Sequence, residues 1–134
     1  MSSILELKWI DLASVRDERG ILTSIESSFD IPFEIKRIFY MHHIVSDRGG
    51  HAHRDTDQVI IAISGSFQIE LYDGTERVSY TMDSPVKGLF VPRMIFIQLS
   101  DFSKDAVCMV LASTHYDIKK SLRNMEDYNE AINE

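Results

Sequence analysis

The segment Arg48-Gly49-Gly50-His51-Ala52-His53 is where this sequence concentrates side chains able to move protons. Histidine is the side chain whose ordinary pKa lies nearest neutral pH, so it serves as base, acid or metal ligand. In an extended chain, residues two apart share a face. His51 and His53 therefore point together, and the small Ala52 points away. Gly49-Gly50 lets the backbone bend into that strand. Such a pair can divide a proton transfer between a general base and a general acid, or supply two ligands to a metal. Two exposed histidines at a loop end are the plainer alternative. A catalytic metal asks for a third protein ligand, commonly a carboxylate or another histidine. Asp57 lies four residues past His53, but the stretch around Val91–Leu99 offers Ile95, Phe96 and Ile97 and no histidine. His115 falls close to the C-terminal segment, and His42-His43 alternates sides of its strand. The expectation is a catalytic histidine pair with no metal and no cofactor.

Basic residues come second. Arg19 sits in Asp17-Glu18-Arg19-Gly20, Lys36 and Arg37 open a strand, and Arg48 directly precedes the glycines. Arginines beside a histidine face can clamp a phosphate through paired N–H groups. Arg19, Lys36 and Arg48 are the candidate anion-holding residues. Tyr40 alternates with His42 and is a candidate to line the same pocket. Cys108, inside Val107–Leu111, reads as a buried core thiol.

These residues need a rigid support, and the pattern around them is that of strands. Val59–Ile63 is a short apolar run suited to a strand buried on both faces. Phe67, Ile69 and Leu71 alternate with Gln68, Glu70 and Tyr72, the period of a strand with one buried face. Asp73-Gly74 is a hairpin signal, and Val78, Tyr80 and Met82 mark the return strand. Gly88–Val91, Ile95–Leu99 and Val107–Ala112 follow, while Ile21–Ile25 and Ile38–His43 precede. Strands at this spacing, separated by turn residues, predict an all-β antiparallel barrel or jelly roll. Only the end reads as helical: Ile118, Leu122, Met125, Tyr128 and Ile132 recur at steps of three or four, with Asp117 as N-cap.

The chain has 134 residues, 44% hydrophobic and 26% charged, an ordinary globular composition sized for one domain, 1–134. A net charge of −7 argues against nucleic acid as partner, although a few arginines in one cleft can still set a local positive field. One cysteine excludes an intrachain disulfide and a cysteine-based zinc site. No run approaches the ~20 apolar residues of a membrane helix, and the start lacks the pattern of a signal peptide, so a cytoplasmic location is expected. Neither a phosphate-binding loop, nor GxGxxG, nor a Gly-x-Ser-x-Gly elbow occurs.

His51-Ala52-His53 within this strand pattern resembles the first motif of the cupins. The ordered set Asp17–Gly20, Ile31–Tyr40, Arg48–His53, Gln58-Val59, Asp83–Pro85 and Asp101–Ser103 is similar to the WxcM-like sugar-nucleotide 3,4-ketoisomerases. The resemblance runs from near Asp17 to Tyr116. It implies a cupin barrel and a metal-independent isomerase that converts dTDP-4-keto-6-deoxy-D-glucose into its 3-keto isomer. The product would go to 3-amino-3,6-dideoxysugars of surface glycans such as lipopolysaccharide O-antigen. It also implies a homodimer with exchanged N-terminal strands. By the same resemblance His53 is the base and His51 its acid partner, or the reverse. Arg48 and Arg19, with Lys36, hold the diphosphate or polarise sugar oxygens, and Tyr40 lines the sugar pocket. Two positions depart from the family pattern: Ile97 stands where many relatives have a polar residue, and Asp57 where they tend to have glutamate. The alternatives are a dTDP-sugar 3,5-epimerase, which shows a single histidine after Arg-Gly, and a sugar-nucleotide-binding cupin without turnover. A metal-dependent cupin oxygenase ranks last, because its ligand set is incomplete.

Overall fold

The computed structural model describes residues 2–134; residue 1 of the expected 1–134 domain lies outside the described residues. The strands are β1 (Lys8–Asp11), β2 (Ala13–Asp17), β3 (Gly20–Ser24), β4 (Arg37–Met41), β5 (Arg48–His53) and β6 (Gln58–Ser64). They continue with β7 (Phe67–Tyr72), β8 (Arg77–Met82), β9 (Lys87–Val91), β10 (Phe96–Ser100), β11 (Val107–Ala112) and β12 (Ser121–Leu122), before helix α1 (Met125–Ile132). Two five-stranded antiparallel sheets form the body, ordered β1-β9-β6-β11-β4 and β12-β5-β10-β7-β8. This is the antiparallel barrel that the alternating pattern predicts, of the cupin type that the resemblance implies.

Side-chain alternation explains how the layers are filled. On β7, Phe67, Ile69 and Leu71 are buried and meet Ile60, Ala62, Cys108 and Val110 of the facing sheet, making the core between the sheets. β6 is buried on both faces because Val59 and Ile61 serve a second cluster, under Leu12 and Ile31. The Asp73-Gly74 turn forms where expected: Asp73 Oδ1 accepts from the Thr75 and Glu76 amides, and Gly74 has φ +99°. Cys108 is fully buried, and its thiol pKa is pushed up to about 12 by that burial, so it is a core residue.

The C-terminal segment differs from its periodicity. Asp117 does cap, accepting from the Lys119 amide at 3.0 Å, but the turn it starts ends at Lys120. Ser121-Leu122 is then drawn out as a strand against His53 and Ala52 of β5. The helix restarts at Met125 with Asn124 as its cap. Leu122, Tyr128 and Ala131 pack on Ala52 and Phe96, and closing that outer face of β5 outweighs one continuous helix. No helix among the described residues is long and apolar enough to cross a membrane.

Among the described residues, β2 and β3 pair with each other and with no other strand, and every residue of both is exposed. The exposed side chains include Val15 (64%) and Leu22 (66%).

Candidate active site

One end of the space between the sheets is open, forming a cavity of about 680 Å³. His51, His53 and Arg48 reach it from β5, Ile97 and Leu99 from β10. Arg37, Phe39 and Met41 reach it from β4 of the opposite sheet, with Gln58 and Ile60 from β6 and Val110 from β11. Tyr116, Ser121 and Arg123 complete the wall from the C-terminal segment.

The two glycines before His51 decide which way β5 faces. Against β10, Ile97 pairs with His51 and Gln98 with Gly49, so Gly50 is the extra residue of a bulge. Gly49 and Gly50 have φ of +92° and +71°, a backbone region that L-residues avoid. A bulge reverses the side-chain parity of the strand beyond it. Arg48 therefore pairs with Leu99 and lies on the same side as His51, into the cavity, where strict alternation would send it outward. Gly49 is also required sterically, since a Cβ there would lie 2.8 Å from the Ile97 carbonyl oxygen.

The imidazoles of His51 and His53 stand edge to face with centroids 5.0 Å apart. Ala52 points away into the cluster under α1, as the period of two requires. Nε2 of His53 is buried and has no hydrogen-bond partner. Burial lowers the His53 pKa to about 4; the charges of His51 and Arg37 add to this, and Asp55 opposes it. Burial also lowers the pKa of His51, opposed by a backbone hydrogen bond at Gly49 and assisted by Arg123 and Arg48. Both rings are thus neutral at physiological pH. A neutral imidazole with a free nitrogen is a base ready to accept a proton.

The other expected residues separate. Tyr40 is 63% exposed on the outer face of β4, where its ring lies 5.6 Å from His42. It does share a face with His42, but that face is outside the cavity. Alternation fixes which residues go together without fixing which set goes in, and here Arg37, Phe39 and Met41 go in. Lys36 lies just before β4, exposed, with its ammonium 3.1 Å from Glu34, so it too is outside the cavity. Arg19 is on the turn between β2 and β3, its side chain 84% exposed and paired with Asp17 at 2.7 Å. Asp57 is not turned toward the histidines: it accepts from the Arg93 amide at 2.8 Å and from its guanidinium. His42 and His43 meet each other, Nδ1 to Nδ1 at 2.7 Å, outside the cavity.

The polar and aromatic cavity residues absent from the expectation are Arg37, Phe39, Asp47, Gln58, Tyr116, Ser121 and Arg123. Gln58 had a signal, as the polar residue opening an apolar run. Tyr116 and Arg123 had none, because their place depends on β12 joining β5. Arg37 lies over the rings of Phe39 (4.6 Å) and Tyr116 (5.0 Å), and Arg123 donates to the Tyr116 hydroxyl at 3.1 Å.

Comparison with known proteins gives this geometry a context. Residues 5–133 match the family model described as FdtA, WxcM-like, C-terminal. The TDP-4-oxo-6-deoxy-alpha-D-glucose-3,4-oxoisomerase of Aneurinibacillus thermoaerophilus is 38% identical over 130 residues, covering 96% of this chain and 94% of its own. A 3,4-ketoisomerase from Helicobacter canadensis superposes with a TM-score of 0.92 at 34% identity, over 96% of this chain and 98% of the other. QdtA, a sugar 3,4-ketoisomerase from Thermoanaerobacterium thermosaccharolyticum solved in complex with TDP, also gives 0.92, at 32% identity over 96% of each chain. With the barrel, the paired histidines and a match over nearly its whole length, the chain belongs to the FdtA, WxcM-like C-terminal family.

Proposed function

We propose that this protein is a sugar-nucleotide 3,4-ketoisomerase, converting TDP-4-keto-6-deoxy-D-glucose into a 3-keto-6-deoxy isomer. The observation that carries the reading is the pair of neutral, cavity-facing imidazoles, one with a buried unpartnered Nε2. Moving a ketone from C4 to C3 is an internal redox exchange. A base removes the C3 proton, the electron pair forms a C3–C4 enediolate, a proton returns to C4, and the proton of the C3 hydroxyl passes to O4, which becomes the new hydroxyl as C3 becomes the ketone. His53 takes the C3 proton through Nε2, and that proton reaches C4 by way of His51, whose ring centroid is 5.0 Å away, so both imidazoles end neutral. Arg48 and Arg123, exposed at the edge of the cavity, hold the diphosphate. A volume of about 680 Å³ accommodates the sugar and diphosphate. Residues 1–134 act as one cupin domain in the cytoplasm, and the product supplies dideoxyamino sugars for surface glycans.

The reading includes a homodimer with exchanged N-terminal strands. The β2–β3 hairpin leaves Val15, Ile21 and Leu22 exposed, and β4 ends its sheet with Ile38 and Tyr40 exposed. An apolar ribbon and an open strand edge are complementary surfaces. Exchange would bring Arg19 of the partner subunit toward the cavity that this chain's own Arg19 does not line. Light scattering tests it: the parent should run as a dimer, and Leu22→Glu should weaken it. A parent that stays monomeric at high concentration removes the exchange and Arg19 with it.

The test of function is to incubate the protein with TDP-4-keto-6-deoxyglucose in deuterated water and follow the sugar by NMR. Deuterium at C4 with a new 3-ketosugar is expected. Exchange at C5 with epimerisation would replace the reading with a 3,5-epimerase, and tight binding without exchange would leave a non-catalytic binding protein.

A further inference from the structure

The cavity holds three arginines, and they are not equivalent. Arg48 and Arg123 are exposed. Arg37 is half-buried, its guanidinium lying over Phe39 and Tyr116, and its Nε is shut off from solvent without a hydrogen-bond partner. Among the described residues it forms no ion pair with any carboxylate. Among the described residues, Arg37 Nε and His53 Nε2 are the two buried side-chain polar atoms left unpartnered, and both residues line one cavity. They come from opposite sheets, Arg37 from β4 and His53 from β5, so a ligand between the sheets meets one group on each side. Leaving a buried donor unpaired costs about 1–3 kcal/mol, which a ligand oxygen accepting from it would recover.

The chemistry says which ligand group that is. Removing a proton beside a ketone puts negative charge on the carbonyl oxygen. A neutral imidazole is too weak a base to do this unless that charge is stabilised as it forms. A fixed N–H donor in a dry site supplies that stabilisation without reorganising. Building on the ketoisomerase reading, we propose that Arg37 is the oxyanion-stabilising catalytic residue. Its guanidinium donates to the sugar O4 as the C3 proton leaves for His53, and to O3 as the ketone re-forms there. The exposed arginines are left to the diphosphate. Stacking between two rings suits this task, since it fixes the plane of the guanidinium while leaving its N–H edge for the oxyanion.

The experiment compares the parent with Arg37→Met, Arg37→Lys and Arg37→Gly, reading TDP affinity by calorimetry alongside kcat and the rate of C3 proton exchange. TDP affinity should stay within about threefold in every variant, which also reports that the fold is intact. For Arg37→Met, kcat and the exchange rate should fall together by about 10²–10³-fold, the loss seen when an oxyanion donor is removed. Added guanidinium should restore at least tenfold of the rate to Arg37→Gly, and Arg37→Lys should fall between parent and Arg37→Met. If TDP affinity collapses while kcat survives, Arg37 is a diphosphate anchor and the proposal fails. An undisturbed exchange rate overturns it equally. A parent with no exchange at all removes the ketoisomerase reading first and this inference with it, whereas an active parent with an unaffected Arg37→Met removes this inference alone.

Discussion

β4 and β5 face each other across the cavity and present their polar groups by different means. β4 alternates without interruption, so Arg37, Phe39 and Met41 face in and Ile38 and Tyr40 face out. β5 breaks its alternation at Gly50, and that break turns Arg48 to the same side as His51 and His53. A regular strand can place every second side chain in a site, whereas a bulged one can bring a further charge beside the histidine pair. The price is a backbone that only glycine tolerates, at a point where β5 and β10 come within touching distance.

The largest effect should follow from removing the groups that β5 positions. His53→Asn and His51→Asn should each lower kcat by about 10³-fold, the middle of what a positioned acid or base contributes, with thermal unfolding still cooperative. Near-parent turnover in either variant would detach that histidine from the chemistry. The pH profile sharpens the same point. With its pKa held at about 4, His53 remains an unprotonated base through the neutral range, so kcat/KM should stay level down to about pH 5 and fall below it. Stability should move with pH in a matching direction. Between pH 6.5 and 4 the unfolded chain binds a proton at this histidine that the folded chain refuses, so stability falls as pH falls. The effect is of the order of 3 kcal/mol, and His53→Asn should flatten that part of the Tm-against-pH curve. An equally steep curve for the variant would assign the dependence elsewhere.

The bulge itself is the next way to break the comparison. In Gly49→Ala the new Cβ would meet the Ile97 carbonyl oxygen at 2.8 Å and the backbone of Gln98 and Leu99 at 3.2 Å, at φ +92°. All three contacts are backbone, so relief requires β5 and β10 to separate. A loss of about 2–3 kcal/mol in stability and about 10²-fold in kcat is expected, from strain and from misplacing the histidines. Gly50→Ala meets open space and bears only the cost of its φ of +71°, so about 1 kcal/mol is expected. Equal unfolding midpoints for the two variants in urea would show that close packing of β5 on β10 is not what Gly49 serves.

The same contrast explains how far the sequence could be read. Alternation in Phe67–Leu71, the apolar run at Val59 and the Asp73 turn are local signals, and local backbone physics fixes them. The facing of His51 and His53 is likewise a matter of period two within one strand. Which side of β4 looks inward is not local: Arg37-Phe39-Met41 and Ile38-Tyr40 are both credible inner faces until the partner sheet is in place. The hydrophobic alternation of Ile38–His43 therefore placed Tyr40 with His42 correctly and in the wrong half-space. At the C-terminus, helical spacing from Ile118 to Ile132 competes with an edge of β5 that needs a strand, and the tertiary pairing prevails at Ser121-Leu122. Tyr116 and Arg123 reach the cavity through that pairing, so no spacing within their own segment could reveal them. Arg19 lies on a hairpin that, among the described residues, pairs with no other strand of this chain, so nothing in its own segment could show whether it reaches a cavity.

The smallest effects should come from the outer side of β4, and their smallness is informative. Tyr40→Phe leaves the ring and removes a hydroxyl that hydrogen-bonds to no protein group among the described residues, on a face the cavity does not reach. Lys36→Met removes an ammonium whose partner is Glu34, an exposed pair of the kind worth at most about 1 kcal/mol. Both variants should keep kcat and KM within about twofold, with stability changed by about 0.5 kcal/mol or less for Tyr40→Phe. Lys36 directly precedes Arg37 at the start of β4, and Tyr40 lies three positions beyond Arg37 on that strand. If Lys36→Met or Tyr40→Phe lost tenfold in kcat while Arg37→Met did not, the inward face of β4 in the working enzyme would be the opposite one. The strand would then have to be rotated about its axis relative to β11, breaking the Val110–Phe39 register on which the cavity wall depends.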